Sequence, residues 1–572
     1  MKLAFHFRPF SRLLSVFIGR MFHTGSELGT DDLDLGIGVT GTLLAMPGLF
    51  ISLLLFEKYG SLIRFLRGDG TFDPFAATIP DEYFFIVLSM AVTGIATLWK
   101  WTSIFPDRRD FANLVHLPIS IRQIFAANFA AIATLAALYT LVVNAASIII
   151  FPVVVFGSQG TIALFFRFFL GHAACVIAAG IFAFCLVFAL TGMLLALFPY
   201  GISRRISAIV RFFAVIFFLS LLASSFSVPF FLAKRDPTLL RLLATLPPVW
   251  FLGLSQKLWL GSADPFFLQM AHRAISALIA IPIFAVFAYL AGFRRSFQKI
   301  PEVADLSLLP SPGSSLFPSR HAVFYRIFLR AQTQRTFGRF ILQALLRSEV
   351  HLQVFLFFVA IGLVAAVRML ADAPFRLGKN AVTPLSADAL SVPLILAFCV
   401  VVGFRFCFEI PLNLQANWVF RFWIDPTVSE TRSTARRLLL VLTLSWIAPL
   451  TFLSSFYFWG LFVAILHTLV LISCSVLVIE ISILRLRKIP FTCSYPPFQS
   501  HSPLIVVAYL FAAIILTNYV PELEIQVADF RCATPLLFLP AILILVGLHY
   551  YRKNMLPMDK DLTFEEPRND WT

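Results

Sequence analysis

The sequence predicts an all-α, polytopic transmembrane helix bundle of about twelve spans, built as two fused six-span halves. Three observations lead there. Hydrophobic residues make up 59% of the 572-residue chain and charged residues only 13%, with a mean hydropathy of +0.87; soluble domains carry about 25% charged residues, so half the usual charge is missing. The deficit falls in long, nearly uncharged blocks, each about as long as a helix must be to cross hydrocarbon. The basic residues behind the net charge of +15 flank those blocks, as the positive-inside rule asks, and this explains the pI of about 9.7 without a nucleic-acid partner. The 65 Phe fit the same class, since Phe inserts readily into hydrocarbon.

The runs fall at 37–56, 83–101, 124–156, 162–199, 206–232, 271–293, 350–371, 387–408, 437–456, 460–484, 503–520 and 534–550. The fourth exceeds one straight crossing and carries Arg167 and His172 near its start, which predicts a tilt or an interfacial portion. With the N-terminus placed in the cytoplasm and the spans alternating, the Lys and Arg surplus lies on the side that holds both termini. A multi-pass protein of the cell membrane with cytoplasmic termini is the expectation. The opening MKLAFHFRPFSRLLSVFIGR has neither an uninterrupted apolar core nor a small-residue cleavage site, so it does not read as a cleaved signal peptide.

Between the sixth and seventh runs, Arg294 to Ser348 is the longest polar segment and contains the linker LSLLPSPGSSLFPSR. It divides the chain into a first half at 1–300, a cytoplasmic linker with a basic amphipathic helix at 301–348, and a second half at 349–572. That helix interleaves Arg326, Arg330, Arg335, Arg339 and Arg347 with Phe, Ile and Leu, a composition suited to the headgroup plane. Pro9 to Phe22 is a similar apolar-basic stretch ahead of the first span. Each half therefore reads as an interfacial helix followed by six spans, with a charged cytoplasmic loop between its second and third spans.

Few residues are equipped for chemistry. Seven Cys form no CxxC pair, and most sit in or beside apolar runs, which predicts buried free thiols rather than a zinc site or disulfides. No metal or other cofactor is expected. No phosphate-cradling GxxxxGK[ST] exists: Gly378-Lys379 is the one Gly-Lys pair, with Ala373 in place of the first Gly and Asn380 in place of Ser or Thr. Intramembrane ionisable residues are costly and so are candidates by default. Glu480 and His467 share the tenth span, but thirteen residues along a helix is about 20 Å, too far for one relay. Glu480 is expected to pair with Arg485, Arg487 and Lys488 at the end of its span, and His467 to be a satisfied bundle histidine. Asp81-Glu82, just before the second span, is the one enzyme-like feature, because membrane glycosyltransferases use an acid in an early external loop to deprotonate an acceptor or hold a metal. Helix capping and the helix dipole favour acids at such a position anyway, and that is the preferred account of the pair.

The segment FPDRRDFANLVHLPISIRQIFAAN resembles the loop after the second span in membrane subunits of type-2 ABC exporters, where an acidic-basic cluster precedes L-x-x-L-P-[IV]-S and a basic residue opens the third span. The matching residues are Asp107, Arg108, Arg109, Asp110, Leu114, Leu117, Pro118, Ile119, Ser120, Arg122 and Ile124. The layout of the first half is similar too: an elbow helix, six spans, and a long external segment before the sixth span with Pro247, Pro248 and Trp250. The resemblance implies that residues 107–122 form a coupling helix docking on a separate ATP-binding subunit. The corresponding loop of the second half, ANWVFRFWIDPTVSETRSTARR, lacks the Leu-Pro-Ile-Ser string. The leading expectation is therefore a permease without its own ATPase, exporting an amphipathic or lipid-like substrate. A membrane enzyme using Asp81 or Glu82 on a lipid-linked substrate, and a secondary carrier using Glu480, are the alternatives.

Overall fold

In water-free hydrocarbon every backbone N–H and C=O must be satisfied inside the chain, and helices do so within one segment. The computed structural model of the protein describes residues 10–19, 33–59, 74–101, 116, 119–156, 161–198, 200–261, 264–306, 332–373, 384–412, 428–484, 486, 488–492, 502–529 and 534–555. Among the described residues the regular structure is helical throughout, and eleven helices are long and apolar enough to cross a membrane. The protein is an all-α, multi-pass membrane helix bundle. It divides into two compact units, Met1–Pro312 and Gly313–Thr572.

The first unit opens with the short apolar helix α1 (Phe10–Gly19), followed by the 27-residue α2 (Leu33–Tyr59). Then come α3 (Pro74–Trp99), α4 (Ile121–Phe156), α5 (Ile162–Leu197) and α6 (Tyr200–Ser224). Three short helices follow, α7 (Val228–Lys234), α8 (Pro237–Leu243) and α9 (Pro247–Trp259), before the 42-residue α10 (Pro265–Leu306). α1 is amphipathic and buries Leu13 and Phe17 against Ile124 and Ala131 of α4, Phe188 of α5 and Ala285 and Tyr289 of α10. The fourth run is one continuous 36-residue helix, α5, about 54 Å long at 1.5 Å per residue, well beyond a single perpendicular crossing.

The second unit opens with α11 (Gln332–Arg347), whose Ile341, Ala344 and Leu345 are buried while Leu346 on the opposite face is exposed. Six long helical segments follow: α12 (Glu349–Asp372), α13 (Ala387–Cys407), α14 (Val428–Trp459), α15 (Leu461–Ser482), α16 (Ser502–Ile514) continued through a π-helical turn at Ile515–Tyr519 into α17 (Val520–Asp529), and α18 (Thr534–Met555). α14 hands over to α15 across Gly460 alone. Its φ of +86° is one that residues with a Cβ rarely adopt, which permits the abrupt reversal.

The same position is central in both units. The second spans, Ala77–Trp99 and Ala387–Cys407, each have 72% of their apolar window buried, against 22% for Pro265–Gly292 and 0% for Thr534–Asn554. The peripheral helices thus turn apolar side chains such as Ile279, Phe287, Leu543 and Val546 outward, as a lipid-facing surface requires.

Helices in lipid gain nothing from excluding water from one another, so close association relies on small residues and packed rings. α5 and α10 meet at glycines: a Cβ on Gly192 would lie 2.6 Å from the Ala288 carbonyl carbon, and one on Gly292 would lie 2.8 Å from the Gly192 carbonyl oxygen. Gly192→Leu is accordingly expected to separate these helices and lower the thermal midpoint of the detergent-solubilised protein by several degrees. Gly547→Ala on α18, where a Cβ meets nothing within 4 Å, should leave it unchanged or raise it slightly. Equal midpoints for the two variants in fluorescence-detected size exclusion after heating would contradict the contact.

Candidate functional site

Three carboxylates lie buried inside the bundles, and each has a different electrostatic setting. The first is Glu82. The helix that carries it starts at Pro74, so Asp81 and Glu82 are two turns inside α3 rather than at its start, and no acid lies in its first turn. Capping and the helix dipole, the ordinary reasons for acids ahead of a span, therefore do not account for the pair. Adjacent helical residues point about 100° apart, and the two side chains have different surroundings. Asp81 faces α2, where Lys58 Nζ lies 2.6 Å from Oδ2 and the Tyr59 hydroxyl donates to the same oxygen. Glu82 turns into the bundle and is completely buried.

What meets Glu82 there is α9. Sequence reading placed this stretch in an external segment, but Pro247–Trp259 is a buried helix bent by 101° from α8, the shape of a broken span or a re-entrant hairpin. The two prolines occupy its first positions, where their missing N–H groups cost no hydrogen bond. The corner is pinned at the Ala244 carbonyl, which accepts from Trp250 Nε1 at 2.8 Å and from Arg273 Nη1 at 2.6 Å. Asp236 caps α8 through Thr238, and these side-chain and backbone hydrogen bonds hold its carboxyl below the usual carboxylate range. That contribution is present above the ordinary aspartate pKa and is lost as pH falls through the lowered value.

At its far end α9 presents Ser255, Gln256 and Trp259 to α3. Gln256 Nε2 donates to Glu82 Oε2 at 2.9 Å. Ser255 and the Trp259 indole lie close to the same carboxyl, and the Cys175 thiol of α5 lies near both Glu82 and Ser255. Glu82 Oε1, Ser255 Oγ and the Nε2 atom of His172, one turn before Cys175, have no hydrogen-bond partner. Rings of Phe85, Phe151 and Phe168 surround His172 at centroid distances of 5.8, 5.1 and 6.1 Å.

Glu480 of α15 is the opposite case. Its expected partners Arg485 and Arg487 lie outside the described residues, and the bases that hold it come from other helices. Arg436 of α14 is 3.1 Å from Oε1 and Arg552 of α18 pairs with Oε2. A carboxylate between two guanidinium groups is a fixed charge that ties three helices together.

The third carboxylate, Glu524, was not singled out from sequence. His467 Nδ1 lies 3.1 and 3.0 Å from its two oxygens, and both side chains are 1% exposed. His467 is six residues into α15, about 9 Å from its start, and its partner comes from α17 rather than from Glu480. The signal for Glu524 was present as periodicity: Val520 and Ala528, four residues to either side, pack on the apolar cluster of Leu466 and Val470, so Glu524 lies within an inward stripe. Just before it, the π-helical turn widens the helix, and Ser391 Oγ donates to the Thr517 carbonyl at 2.5 Å. Such turns are frequent at functional positions.

Of the residues matched to a coupling helix, Asp107, Arg108, Arg109, Asp110, Leu114, Leu117 and Pro118 lie outside the described residues. Ile119, Ser120 and the backbone of Arg122 are described. Ser120 and Gln123 form a reciprocal capping box: the Gln123 N–H donates to Ser120 Oγ at 3.3 Å, and the Ser120 N–H to Gln123 Oε1 at 3.2 Å. Ile119 packs on the same cluster as Ile124, a hydrophobic staple across the cap. The Ile119-Ser120 portion of the string thus fixes the direction in which the chain enters α4. Among the described residues no group of three or more His, Cys, Asp or Glu side chains is placed to hold a metal ion.

Breaking a buried pair by removing one partner costs about 3–5 kcal/mol, whereas replacing both by apolar groups is often nearly neutral. His467→Phe and Glu524→Leu singly should each lower the thermal midpoint markedly, and the double variant should recover part of the loss. Additive losses across that cycle would mean the two side chains are energetically independent.

Comparison of the chain with family models, with curated proteins and with solved structures finds no match in any of the three.

Proposed function

We propose that the chain is the membrane-spanning permease of a type-2 ABC exporter, driven by a separate ATP-binding subunit and moving an amphipathic or lipid-like substrate. The observation that carries this reading is the repeated layout: each unit has an amphipathic helix, α1 or α11, packed on several of its own long helices, with the second span among the most buried. Two bundles of this kind are suited to alternate access between the faces of a membrane. The capped and stapled start of α4 supports the coupling role, because a push on Asp107–Pro118 would be delivered to a rigid helix end rather than absorbed by a slack joint. The basic flanks support a cell-membrane protein with both termini and the linker in the cytoplasm.

The enzyme alternative draws on Asp81 and Glu82 acting at an aqueous face. One of these is engaged by Lys58 and Tyr59 and the other is enclosed in the bundle, so they do not converge on a common site. The carrier alternative draws on Glu480, which two arginines hold.

Arg108→Glu with Arg109→Glu, or Leu117→Asp, should leave the protein inserted while abolishing co-purification of the ATP-binding subunit, since these positions lie outside the spans yet change the charge and apolar face offered to a cytosolic partner. Charge reversal should act more strongly than neutralisation, and Asp81→Asn should retain the partner. Loop variants that keep both partner and transport, beside a dead Asp81→Asn, would replace the permease reading by the enzyme one.

A second expected outcome is that the purified chain alone neither binds nor hydrolyses ATP, because its sequence holds no phosphate cradle. Hydrolysis that survives removal of contaminating ATPases would overturn the need for a separate subunit.

A further inference from the structure

Four acids of the described chain have buried or nearly buried side chains with defined partners, and three of them face a base. Asp81 has Lys58, Glu480 has Arg436 and Arg552, and Glu524 has His467. Glu82 has none among the described residues: its one hydrogen bond comes from a neutral amide, Gln256, and its other oxygen is unpartnered although fully enclosed. It lies five residues into the span Ala77–Trp99, about 8 Å from the span's start. Taking an ionised carboxylate out of water without a counter-charge is so costly that such groups neutralise by taking up a proton.

We propose that Glu82 is a proton-binding site at the contact between α3 and the re-entrant helix α9, its neutral carboxyl being what allows α9 to dock. The assignment of atoms follows from the geometry. Oε2, which accepts from Gln256, is the carbonyl oxygen, and the unpartnered Oε1 carries the hydrogen. Beside it lie Ser255 Oγ of α9, buried and unpartnered, and the buried Cys175 thiol of α5. The ligand is a proton, since the carboxyl is fully enclosed.

Docking and proton occupancy are therefore linked. An ionised Glu82 would require water or a cation, and either one would have to enter where α9 now lies, so loss of the proton favours separation of α9 from α3. The corner at Ala244, held by Trp250 and Arg273, gives that motion a pivot at the opposite end of α9. This linkage stands on the first unit alone and does not depend on an ATP-binding subunit.

Infrared spectroscopy of the full-length protein in lipid at neutral pH reads the site directly through the C=O stretch of a protonated carboxyl. Wild-type protein should show such a band, Glu82→Gln should lose it, and Glu480→Gln, which removes an acid held by two arginines, should keep it. Gln256→Leu removes the donor to the carbonyl oxygen and should move the band to higher frequency, which assigns it even if Glu82→Gln does not fold. Transfer to D2O should shift the band down as the proton exchanges. An acid band of full intensity in Glu82→Gln together with an unmoved band in Gln256→Leu would show that Glu82 is ionised and overturn the site. A band that is assigned to Glu82 but never shifts in D2O would show a sealed structural acid and overturn the link to α9 movement.

Discussion

The absence of water in the bilayer interior is the constraint on which the rest of this structure depends. It forces the backbone into helices, and it also dictates how the polar side chains on those helices behave. Hydroxyl groups close on their own helix: Ser52, Thr97, Thr140, Thr191, Thr451 and Thr468 each donate to the carbonyl four residues earlier. This lets otherwise apolar spans carry polar residues at small cost. Amides reach further and join helices, as Asn128 does in donating to Tyr289 and Asn144 in donating to Ser89. The most deeply buried ionisable groups are not settled so locally: Glu480 pairs with Arg436 and Arg552, and Glu524 with His467, all from other helices.

With no water to exclude, packing falls to shape. The glycine contact between α5 and α10 brings backbones together, and beside it Tyr289 gathers Phe125, Phe129 and Phe188 at centroid distances of 4.9 to 5.9 Å. The second unit uses the same means: Gly403 accepts the Phe358 side chain, and Phe355 meets Phe404 at 4.5 Å. Part of the large Phe content is thus internal mortar, while residues such as Phe213 and Phe287 remain on the lipid-facing surface.

The two units share a plan but treat their buried acids differently. In the second unit, fixed charge between Glu480 and two arginines ties α14, α15 and α18, and His467 with Glu524 joins α15 to α17 beside a π-helical turn. In the first, a single carboxyl without a base meets a short helix bent back into the bundle. The capped start of α4 and the α9 contact belong to the same unit, and both α4 and α9 pack on α5.

The sequence by itself determined the class, because hydrocarbon insertion depends on the summed transfer energy of contiguous residues, and that sum is readable from composition along one segment. It determined the helical state and the succession of long apolar helices. The start of α4 was partly legible as well, since a capping box is a local pattern. Tertiary structure decided the partners. Glu480 sits beside Arg485 in sequence yet pairs with Arg436 and Arg552, and His467 finds Glu524 fifty-seven residues away. Glu82 looked like a helix-start acid until the helix proved to begin at Pro74, and α9 looked like an external loop until its apolar residues were enclosed by α3, α5 and α10. A short apolar stretch has the same composition whether it skims the surface or folds into the bundle, and an ionisable group's state depends on charges brought by helices distant in the chain. Those are pairwise properties of the folded molecule, which no single segment encodes.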